Sequence, residues 1–268
     1  MIVDFDLEPV PRPRAGECAP VPDEDQAVYS ALVLGVRDYV GKNGFHGAEL
    51  GLSGGIDSAL TLALAVDALG PDQVEAVLMP SRYTADMSVE DALEEARTLG
   101  VRTSLIPVEP AFEAFLAMLA EEFAGREPDV TEENIQARCR GVILMAISNK
   151  RGKILLTTGN KSEVGVGYAT LYGDMAGGFA PLKDVFKTLV YRLARYRNRV
   201  SPAIPERVIT RAPSAELRPD QTDQDSLPPY EILDPILKRY IENDESVAEI
   251  AATGFPPGEV RRVARLVD

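Results

Sequence analysis

The residues best suited to chemistry form one short segment between a predicted strand and a predicted helix. This segment, here called the anion loop, reads Gly51-Leu52-Ser53-Gly54-Gly55-Ile56-Asp57-Ser58. Its glycines let backbone N–H groups approach a ligand closely, and the helix that follows adds further N–H donors and the positive end of its dipole. The anion loop is therefore predicted to bind an anion such as phosphate. A tight turn of small residues would explain the glycines, but not Ser53, Asp57 and Ser58 together.

Other loop chemistries fit this segment less well. A Walker A loop needs a lysine that is absent here, and the glycines lack the G-x-G-x-x-G spacing of dinucleotide-binding loops. Residues 51–55 also match G-x-S-x-G, the nucleophile elbow of α/β-hydrolases. That fold needs its histidine after the serine, whereas the single histidine of the chain, His46, precedes Ser53. A single histidine also excludes histidine-rich zinc sites.

The composition restricts the class of protein. The chain has 268 residues, 45% of them hydrophobic, which is enough for one large domain with a sizeable core. A net charge of −14 argues against a protein that coats nucleic acid. No apolar run approaches the roughly 20 residues that span a membrane, and the N-terminus lacks a signal-peptide pattern, which predicts a cytoplasmic protein. Two cysteines, Cys18 and Cys139, are too few for a disulfide scaffold or a thiolate metal cage.

Strands and helices are predicted to alternate along most of the chain. Residues 1–23 are rich in proline and indicate an extended linker or arm, and residues 24–268 form the predicted domain. Alternation of this kind indicates a doubly wound α/β fold, with a parallel sheet and flanking helices. The predicted strands are 48–52, 73–79, 101–106 and 153–157. The predicted helices are one that begins after Asp23, then 56–69, 88–99, 111–123, 132–149 and 183–199.

The character of the sequence changes after Thr158. Six glycines within twenty residues predict a long functional loop. Residues 181–218 then carry nine lysines and arginines against three acids, a local charge of +6 in an acidic chain. A run of charge is usually a solvated face, but this contrast also favours an anionic ligand. Residues 212–229 are expected to be mobile.

The sequence SGGIDS, residues 53–58, resembles the pyrophosphate loop of the N-type ATP pyrophosphatases, which adenylate a substrate and release pyrophosphate. That family includes NAD, GMP and asparagine synthetases and tRNA thiolases. Further segments resemble NAD synthetases, above all the C-terminal domain of the glutamine-dependent ones. These segments are MPSRYT at 79–84, SVEDA at 88–92, NIQAR at 134–138, TGNKSE at 158–163, YGD at 172–174, PL at 181–182, and Lys187. The resemblance runs from about Tyr29 to the C-terminus and implies the Rossmann-like fold of adenine nucleotide alpha hydrolases.

The resemblance implies a role for individual residues. Besides the anion loop, the residues implied in ATP binding are Arg82, Thr158 and Lys187. The residues implied in binding the second substrate, nicotinic acid adenine dinucleotide (deamido-NAD), are Asn134, Arg138 and Glu163. The implied ligands of Mg²⁺ are Asp57 and Glu163. The implied catalytic residues are Asp57, Glu163, Lys187 and Asp174, of which Asp174 would lie near the ammonia end of the site.

Each of these residues also has a purely structural alternative. Arg138 could form a salt bridge on its helix, and Asp174 could cap a turn. Glu163 could be a solvated loop acid, and Lys187 could lie on an exposed helix face. If the strand order is 3-2-1-4, however, Asp57 and Glu163 follow adjacent strands at their carboxyl ends, where open α/β sheets bind ligands. Two carboxylates at that point suit Mg²⁺.

The activity implied by the resemblance is the ATP-dependent amidation of deamido-NAD to NAD. The substrate carboxylate would attack ATP to give an acyl-adenylate and pyrophosphate, and ammonia would then displace AMP. Residues 1–23 resemble the linker that follows the glutaminase domain of such enzymes, and neither cysteine resembles a glutaminase nucleophile. Free ammonia, or ammonia from a separate glutaminase, is therefore the expected nitrogen source. Similar synthetases are homodimers, which predicts a homodimer or a larger oligomer.

Two other functions stay open at this point. The first is another N-type ATP pyrophosphatase, such as a tRNA thiolase or a GMP-synthetase-like enzyme. Thiolases commonly bring catalytic or zinc-binding cysteines, which the two unpaired cysteines of this acidic chain do not match. The second is a truncated domain that binds nucleotide and its own copies but turns over poorly, because relatives continue past the position of Asp268 with a basic tail that contributes to substrate binding.

Overall fold

The fold is built on a four-stranded parallel sheet. The computed structural model describes residues 4–14 and 20–268, and Cys18 lies outside the described residues. The strands are β1 (Phe5–Asp6), β2 (Arg12–Pro13), β3 (Ala48–Gly51), β4 (Val74–Leu78), β5 (Arg102–Leu105) and β6 (Ile154–Leu155). The last four form a parallel sheet in the order β5-β4-β3-β6, so the strands have the order 3-2-1-4 on which the expected proximity of Asp57 and Glu163 depends.

Two short strands pair within the described part of the proline-rich arm. Strands β1 and β2 pair in an antiparallel ladder, in which Phe5 lies opposite Pro13. The side chain of Arg14 donates to Asp6 Oδ1 at 2.6 Å and joins the two ends of the turn. Proline is tolerated in such a ladder because an edge strand has an N–H side that needs no partner in the sheet.

Helices cover both faces of the sheet, as predicted. They are α1 (Glu24–Lys42), α2 (Ile56–Leu69), α3 (Asp86–Leu99), α4 (Glu109–Met118), α5 (Val130–Arg151), α6 (Lys161–Gly165), α7 (Lys187–Val200), α8 (Glu206–Thr210), α9 (Tyr230–Leu237), α10 (Val247–Ala252) and α11 (Pro257–Val267). Asp23 caps α1 by accepting a hydrogen bond from Gln26 N, and Asp129 and Glu132 form a capping box at the start of α5. Within the described part of the chain, none of these helices has both the length and the apolar character needed to cross a membrane.

Successive side chains of the central strands point to opposite faces of the sheet, and helices pack on each face. Leu50 and Ala76 point to one face of the sheet, where they pack with Val36 and Val40 of α1. Residue Gly51 points to the other face and lies under Leu144 of α5. A second cluster joins α2 to α7, and a third joins the C-terminal helices α9, α10 and α11 to each other without using the sheet. These layers fix α2, α5 and α7 around one edge of the sheet.

The region after Thr158 is more regular than the sequence predicts. It contains the short helix α6, which forms because Asn160 accepts a hydrogen bond from Glu163 N and so caps the first turn. The predicted basic helix begins at Lys187 instead of residue 183, since residues 181–186 lead into it as a turn. Residues 212–229 contain one turn of 3₁₀ helix, Asp223–Asp225, and otherwise have no regular structure.

A buried acid in α3 makes the stability of the fold depend on pH. Glu95 is 1% exposed, and its Oε1 has no hydrogen-bond partner among the described residues. Burial raises the pKa of Glu95 to about 8 from the ordinary glutamate value of 4.5, in spite of the charge of Arg197. At pH values between these two pKa values, Glu95 is protonated in the folded state and ionised in the unfolded state. The free energy of unfolding therefore falls as the pH rises from about 5 to about 8.

We expect Glu95→Gln to remove this part of the pH dependence and to be more stable than the wild type at about pH 8, because it buries no ionisable group. Urea unfolding at about pH 5.5 and about pH 8 measures the difference. The exposed neighbour Glu94 provides the control, and Glu94→Gln should keep the pH dependence of the wild type. An unchanged slope in Glu95→Gln would contradict this assignment.

Candidate active site

A cavity of about 800 Å³ opens at the carboxyl ends of the parallel strands. The anion loop after β3, the segment after β4 and the segment after β6 form its floor, and α5 forms one wall. Lys187, which is the first residue of α7, and residues 211–217 also line the cavity. Parallel α/β sheets bind ligands at this edge, where connections leave adjacent strands in opposite directions.

The hydroxyl groups of the anion loop hold its backbone open toward the cavity. Ser58 Oγ donates to Gly55 O at 3.0 Å and accepts from Ser53 N at 3.2 Å, and it lies 3.1 Å from Ser53 Oγ. Ser53 Oγ in turn accepts from Gly55 N at 3.2 Å. The loop leads directly into α2, whose first N–H groups have no helical acceptor. This arrangement can bind an anion such as a phosphate group.

The conformation of the anion loop requires glycine at position 54. Gly54 has φ of +80°, and a Cβ atom added to it would lie 2.2 Å from the backbone oxygen of Ser88 in α3. We expect Gly54→Ala to lower the free energy of unfolding by about 1–3 kcal/mol and to impair phosphate binding, because the loop must move to relieve the contact. Chemical unfolding and nucleotide titration measure the two effects.

Gly41 in α1 provides a matched control for Gly54. An added Cβ at Gly41 meets nothing within 4 Å, so Gly41→Ala should raise the free energy of unfolding by about 0.5–1 kcal/mol. A Gly54→Ala variant with the stability and affinity of the wild type would show that the close packing on Ser88 does not constrain the loop.

A buried lysine joins two carboxylates at the floor of the cavity. Lys187, the first residue of α7, is 2% exposed, and its Nζ lies 2.5 Å from Asp57 Oδ2 and 2.9 Å from Glu163 Oε1. Asp57 Oδ1 also accepts from Asn160 Nδ2 at 2.8 Å. The structure therefore brings together residues from α2, α6 and α7 that are up to 130 positions apart in the chain. The predicted proximity of Asp57 and Glu163 follows from the strand order, because β3 and β6 are neighbours.

The charges in this cluster suit a hard divalent cation. Two carboxylates share one ammonium group, and Glu163 Oε2 accepts no hydrogen bond from the described residues. Burial and the nearby Asp57 raise the pKa of Glu163 to about 7, although Lys187 opposes this shift. The same two carboxylates raise the pKa of Lys187, against the effect of its burial. A cation and a phosphate group would together satisfy the free oxygen and the anion loop.

Any such cation would take few ligands from the protein. In residues 4–14 and 20–268, no group of three or more His, Cys, Asp or Glu side chains is arranged to hold a metal ion. Two carboxylates, with water and phosphate oxygens as the other ligands, match the usual coordination of Mg²⁺ in phosphate-binding sites.

Three further predicted site residues line the cavity. They are Asn134 of α5, Thr158 and Asp174. Thr170 links two of them, because its Oγ1 donates to Asn134 Oδ1 at 2.8 Å and its backbone N–H donates to Asp174 Oδ1 at 3.0 Å. Burial raises the pKa of Asp174. Asp174 thus closes a turn, as the structural alternative predicted, and also faces the cavity.

Two predicted site residues lie away from the cavity. Arg82 donates to Glu109 and, at 2.8 Å, to Glu113, and these contacts hold its side chain against α4. Arg138 is exposed, and its Nε donates to Leu171 O at 3.2 Å at the rim. Asn134 and Arg138 are four positions apart and differ by only about 40° around the helix, so the contact with Leu171 O, and not the helix period, holds the Arg138 side chain outside the cavity.

Sequence reasoning missed several charged residues that line the cavity, and Arg140 and Asp223 are two of them. Arg140 is half-buried, its Nε donates to Met79 O at 3.2 Å, and burial lowers its pKa. Asp223 is 3% exposed, accepts a hydrogen bond from Tyr230 at 2.7 Å, and has a pKa that burial raises. The second arginine of the 134–140 segment was the available signal for Arg140, but nothing local marks Asp223.

The segment 212–221, expected to be mobile, also forms part of the cavity wall. Gln136 of α5 donates to Leu217 O at 2.9 Å, and Gln221 donates to Glu133 at 3.1 Å. These hydrogen bonds hold the segment against α5. They join residues that are far apart in the sequence, so local patterns could not predict them.

Comparison with known proteins shows close similarity in sequence. A model of the NAD synthase family matches residues 28–268. The glutamine-dependent NAD(+) synthetase of Acinetobacter baylyi is 57% identical over 267 residues, which cover 99% of this chain and 49% of that protein. The chain spans about half the length of the curated relatives it matches.

Solved structures with the same fold support the sequence comparison. One is the glutamine-dependent NAD+ synthetase of Acinetobacter baumannii in complex with ADP, with a TM-score of 0.76, 50% identity, and coverage of 99% of this chain and 48% of that chain. Another is the NH3-dependent NAD synthetase of Campylobacter jejuni in complex with nitrate, with a TM-score of 0.73, 27% identity, and coverage of 92% and 94%. These likenesses confirm the predicted doubly wound α/β fold.

Proposed function

The chain belongs to the NAD synthase family, and on this premise we propose that it is a ligase that amidates deamido-NAD to NAD with ATP and ammonia. The observation that carries the proposal is the floor of the cavity, where the anion loop and the cluster of Lys187, Asp57 and Glu163 face one space. Such a floor suits a reaction in which a polyphosphate is bound and pyrophosphate leaves. Membership of the family weighs against the tRNA thiolase and GMP-synthetase alternatives.

The proposed reaction has two steps. First, a carboxylate oxygen of the substrate attacks the α-phosphorus of ATP, and the bond from that phosphorus to pyrophosphate breaks. Ammonia then attacks the acyl carbon, loses a proton, and releases AMP with the carboxylate oxygen attached. The backbone donors of the anion loop and the ammonium group of Lys187 offset the charge that develops on the leaving pyrophosphate. Thr158 is proposed to contact the nucleotide.

We propose that Asp57 and Glu163 hold Mg²⁺ when the nucleotide is bound. A bound ion there would supply positive charge to the phosphate oxygens as the α-phosphorus becomes pentacoordinate. Lys187 keeps the two carboxylates close together, and its charge opposes the rise in the pKa of Glu163 that burial and Asp57 cause, so removal of that charge would favour protonation of Glu163. Asn160 fixes the orientation of the Asp57 carboxylate.

The second substrate is proposed to lie along α5. Asn134 offers its amide to the dinucleotide, and Asp174, across Thr170, lies on the same wall. Arg140 is a cation on this wall without a carboxylate within salt-bridge distance among the described residues, so it suits a phosphate of the dinucleotide. Arg138 lies at the rim and is proposed to contact only a part of the substrate that extends out of the cavity.

We propose that two copies of the chain associate through the outer face of α5. Val142 and Met145 are exposed on this face, and Leu171 and Tyr172, next to Arg138, extend the apolar surface. A contiguous apolar surface at the rim of a site is typical of an interface. A homodimer would bring the Arg138 side chains to the rims of both sites, and sedimentation velocity measures the association.

Ammonia is proposed as the direct nitrogen donor. Cys139, the cysteine in the described residues, is 3% exposed, and burial raises its pKa, so its thiol stays protonated and unsuited to attack glutamine. The Campylobacter jejuni relative, of which the matched region covers 94%, is named as NH3-dependent. We also propose that residues 24–268 act as one synthetase domain and that residues 1–23 are a linker.

The test is product formation from ATP, Mg²⁺ and deamido-NAD, with ammonium and glutamine supplied in separate reactions. We expect equal amounts of AMP, pyrophosphate and NAD with ammonium, and no NAD with glutamine alone. Nucleotide binding without turnover would favour the truncated-domain alternative, and turnover of an acceptor other than deamido-NAD would overturn the proposed substrate.

A further inference from the structure

The anion loop is bound by an arginine to which the proposed reaction assigns no role. Arg211 follows α8, and its Nη2 donates to Gly54 O at 2.9 Å while its Nη1 donates to Ser88 Oγ at 2.8 Å. The side chain is about one quarter exposed and also lines the cavity. One guanidinium group therefore connects the anion loop to the first turn of α3.

Ser88 fixes the direction of its hydrogen bond with Arg211. Its side chain is fully buried, and its hydroxyl donates to Glu216 Oε1 at 2.6 Å, so a lone pair of the same oxygen accepts from Arg211. Arg211 Nη1 lies 3.9 Å from that carboxylate oxygen. The arginine is thus oriented by two partners, one of which belongs to the irregular segment 212–221.

The contact with Gly54 O determines which way the next peptide group points. In a planar trans peptide the C=O of Gly54 and the N–H of Gly55 point in opposite directions. When Arg211 binds the carbonyl, the N–H is directed to the other side of the loop, where it donates to Ser53 Oγ. Ser53 Oγ accepts this hydrogen bond and lies 3.1 Å from Ser58 Oγ in the cavity.

The orientation of the Gly54–Gly55 peptide group also affects how well the loop can bind an anion. Backbone N–H groups bind anions only when the neighbouring carbonyl oxygens point away from the ligand. Gly54 has no side chain and a positive φ, so no side chain of its own fixes the orientation of the peptide group that follows. A cation at the carbonyl oxygen fixes that orientation and also adds positive potential to the loop.

We propose that Arg211 is a positioning residue that holds the Gly54–Gly55 peptide with its carbonyl turned away from the cavity, so that the anion loop is preorganised for pyrophosphate. This inference rests on the proposed use of the loop for the pyrophosphate part of ATP. Arg211 acts through Gly54 and Ser53, and the direct phosphate contacts come from the loop and Lys187.

Pyrophosphate binding and steady-state kinetics of Arg211→Met test the proposal. We expect the Kd for pyrophosphate with Mg²⁺, measured by calorimetry, to rise about 10- to 100-fold, because a charge-assisted hydrogen bond that orders the loop is lost. The kcat/KM for ATP should fall by a similar factor, whereas the KM for ammonium should stay within about twofold. Arg211→Lys keeps a cation that can reach the carbonyl and should recover most of the pyrophosphate affinity.

Arg207 provides the matched control. It lies on α8 and also binds α3, with both Nε and Nη2 on Asp91, but it does not line the cavity. Arg207→Met should lose stability in thermal unfolding and keep the pyrophosphate affinity of the wild type. Equal loss of affinity in both variants, or unchanged affinity in Arg211→Met, would overturn the proposal.

The binding experiment separates this inference from the proposed function. If the wild type binds pyrophosphate but forms no NAD, the proposed function fails while the comparison of Arg211 variants still stands. If the wild type forms NAD and Arg211→Met binds pyrophosphate as well as the wild type, only the inference fails.

Discussion

The Lys187→Met variant is expected to lose about 3–5 kcal/mol of unfolding free energy and at least about 100-fold in NAD formation. Methionine fills a similar volume but leaves Asp57 and Glu163 in a buried site without a cation. An uncompensated pair of carboxylates is costly, and the pKa of Glu163 should rise further. The reaction also loses the positive charge beside the leaving pyrophosphate. Urea unfolding and the rate of AMP formation measure these two losses.

Two further variants separate charge from packing. Lys187→Met combined with Glu163→Gln removes one of the stranded carboxylates, so it should recover part of the stability and none of the activity. Lys161 is the matched control, because its Nζ also binds two carboxylates, Asp184 at 2.5 Å and Glu242 at 2.6 Å, away from the cavity. Its partners are more exposed, so Lys161→Met should cost no more than about 1 kcal/mol and leave activity near the wild type. Equal effects at positions 161 and 187 would contradict the assigned role of Lys187.

Asp57→Asn should reduce the rate of adenylation by about 100- to 1,000-fold while the fold stays intact. The amide has the shape of the carboxylate but lacks the charge that would bind Mg²⁺. ATP–pyrophosphate exchange in the presence of deamido-NAD measures adenylation, and a magnesium titration of the residual rate should show a higher half-saturating concentration.

Asp67 is the control for Asp57, because it lies on the same helix and forms an ion pair with Arg197 at 2.7 Å outside the cavity. Asp67→Asn should lower the unfolding free energy and leave the exchange rate within about threefold of the wild type. A near-normal exchange rate with unchanged magnesium dependence in Asp57→Asn would remove the proposed metal site.

The fold could be predicted from the sequence because its signals are local. Apolar strands, amphipathic helices and caps such as Asp23 alternate clearly, and a parallel sheet then has few allowed arrangements. The meeting of Asp57 and Glu163 followed from strand order alone, since both residues come shortly after neighbouring strands. Position relative to the sheet was enough to predict this part of the cavity.

Residues on helices and irregular segments were harder to place. Arg138 and Arg140 are two positions apart, so they differ by about 200° around α5, and only packing of the helix on the sheet decides which one faces inward. Arg82 forms ion pairs with Glu109 and Glu113 of α4. These are tertiary contacts, which local sequence patterns do not predict. Tertiary hydrogen bonds position Arg211 and Asp223 in the cavity wall. Arg211 binds Gly54, which is more than 100 positions away, and Asp223 binds Tyr230 of α9.

In the proposed mechanism the substrate carboxylate becomes attached to AMP, and transfer of an oxygen isotope tests this step most directly. Deamido-NAD labelled with oxygen-18 in its nicotinate carboxylate is incubated with ATP, Mg²⁺ and ammonium, and the AMP is analysed by mass spectrometry. Attack of the carboxylate on the α-phosphorus predicts one labelled oxygen in each AMP formed, together with unlabelled pyrophosphate. Unlabelled AMP, or label in inorganic phosphate with ADP as the second product, would contradict the acyl-adenylate mechanism.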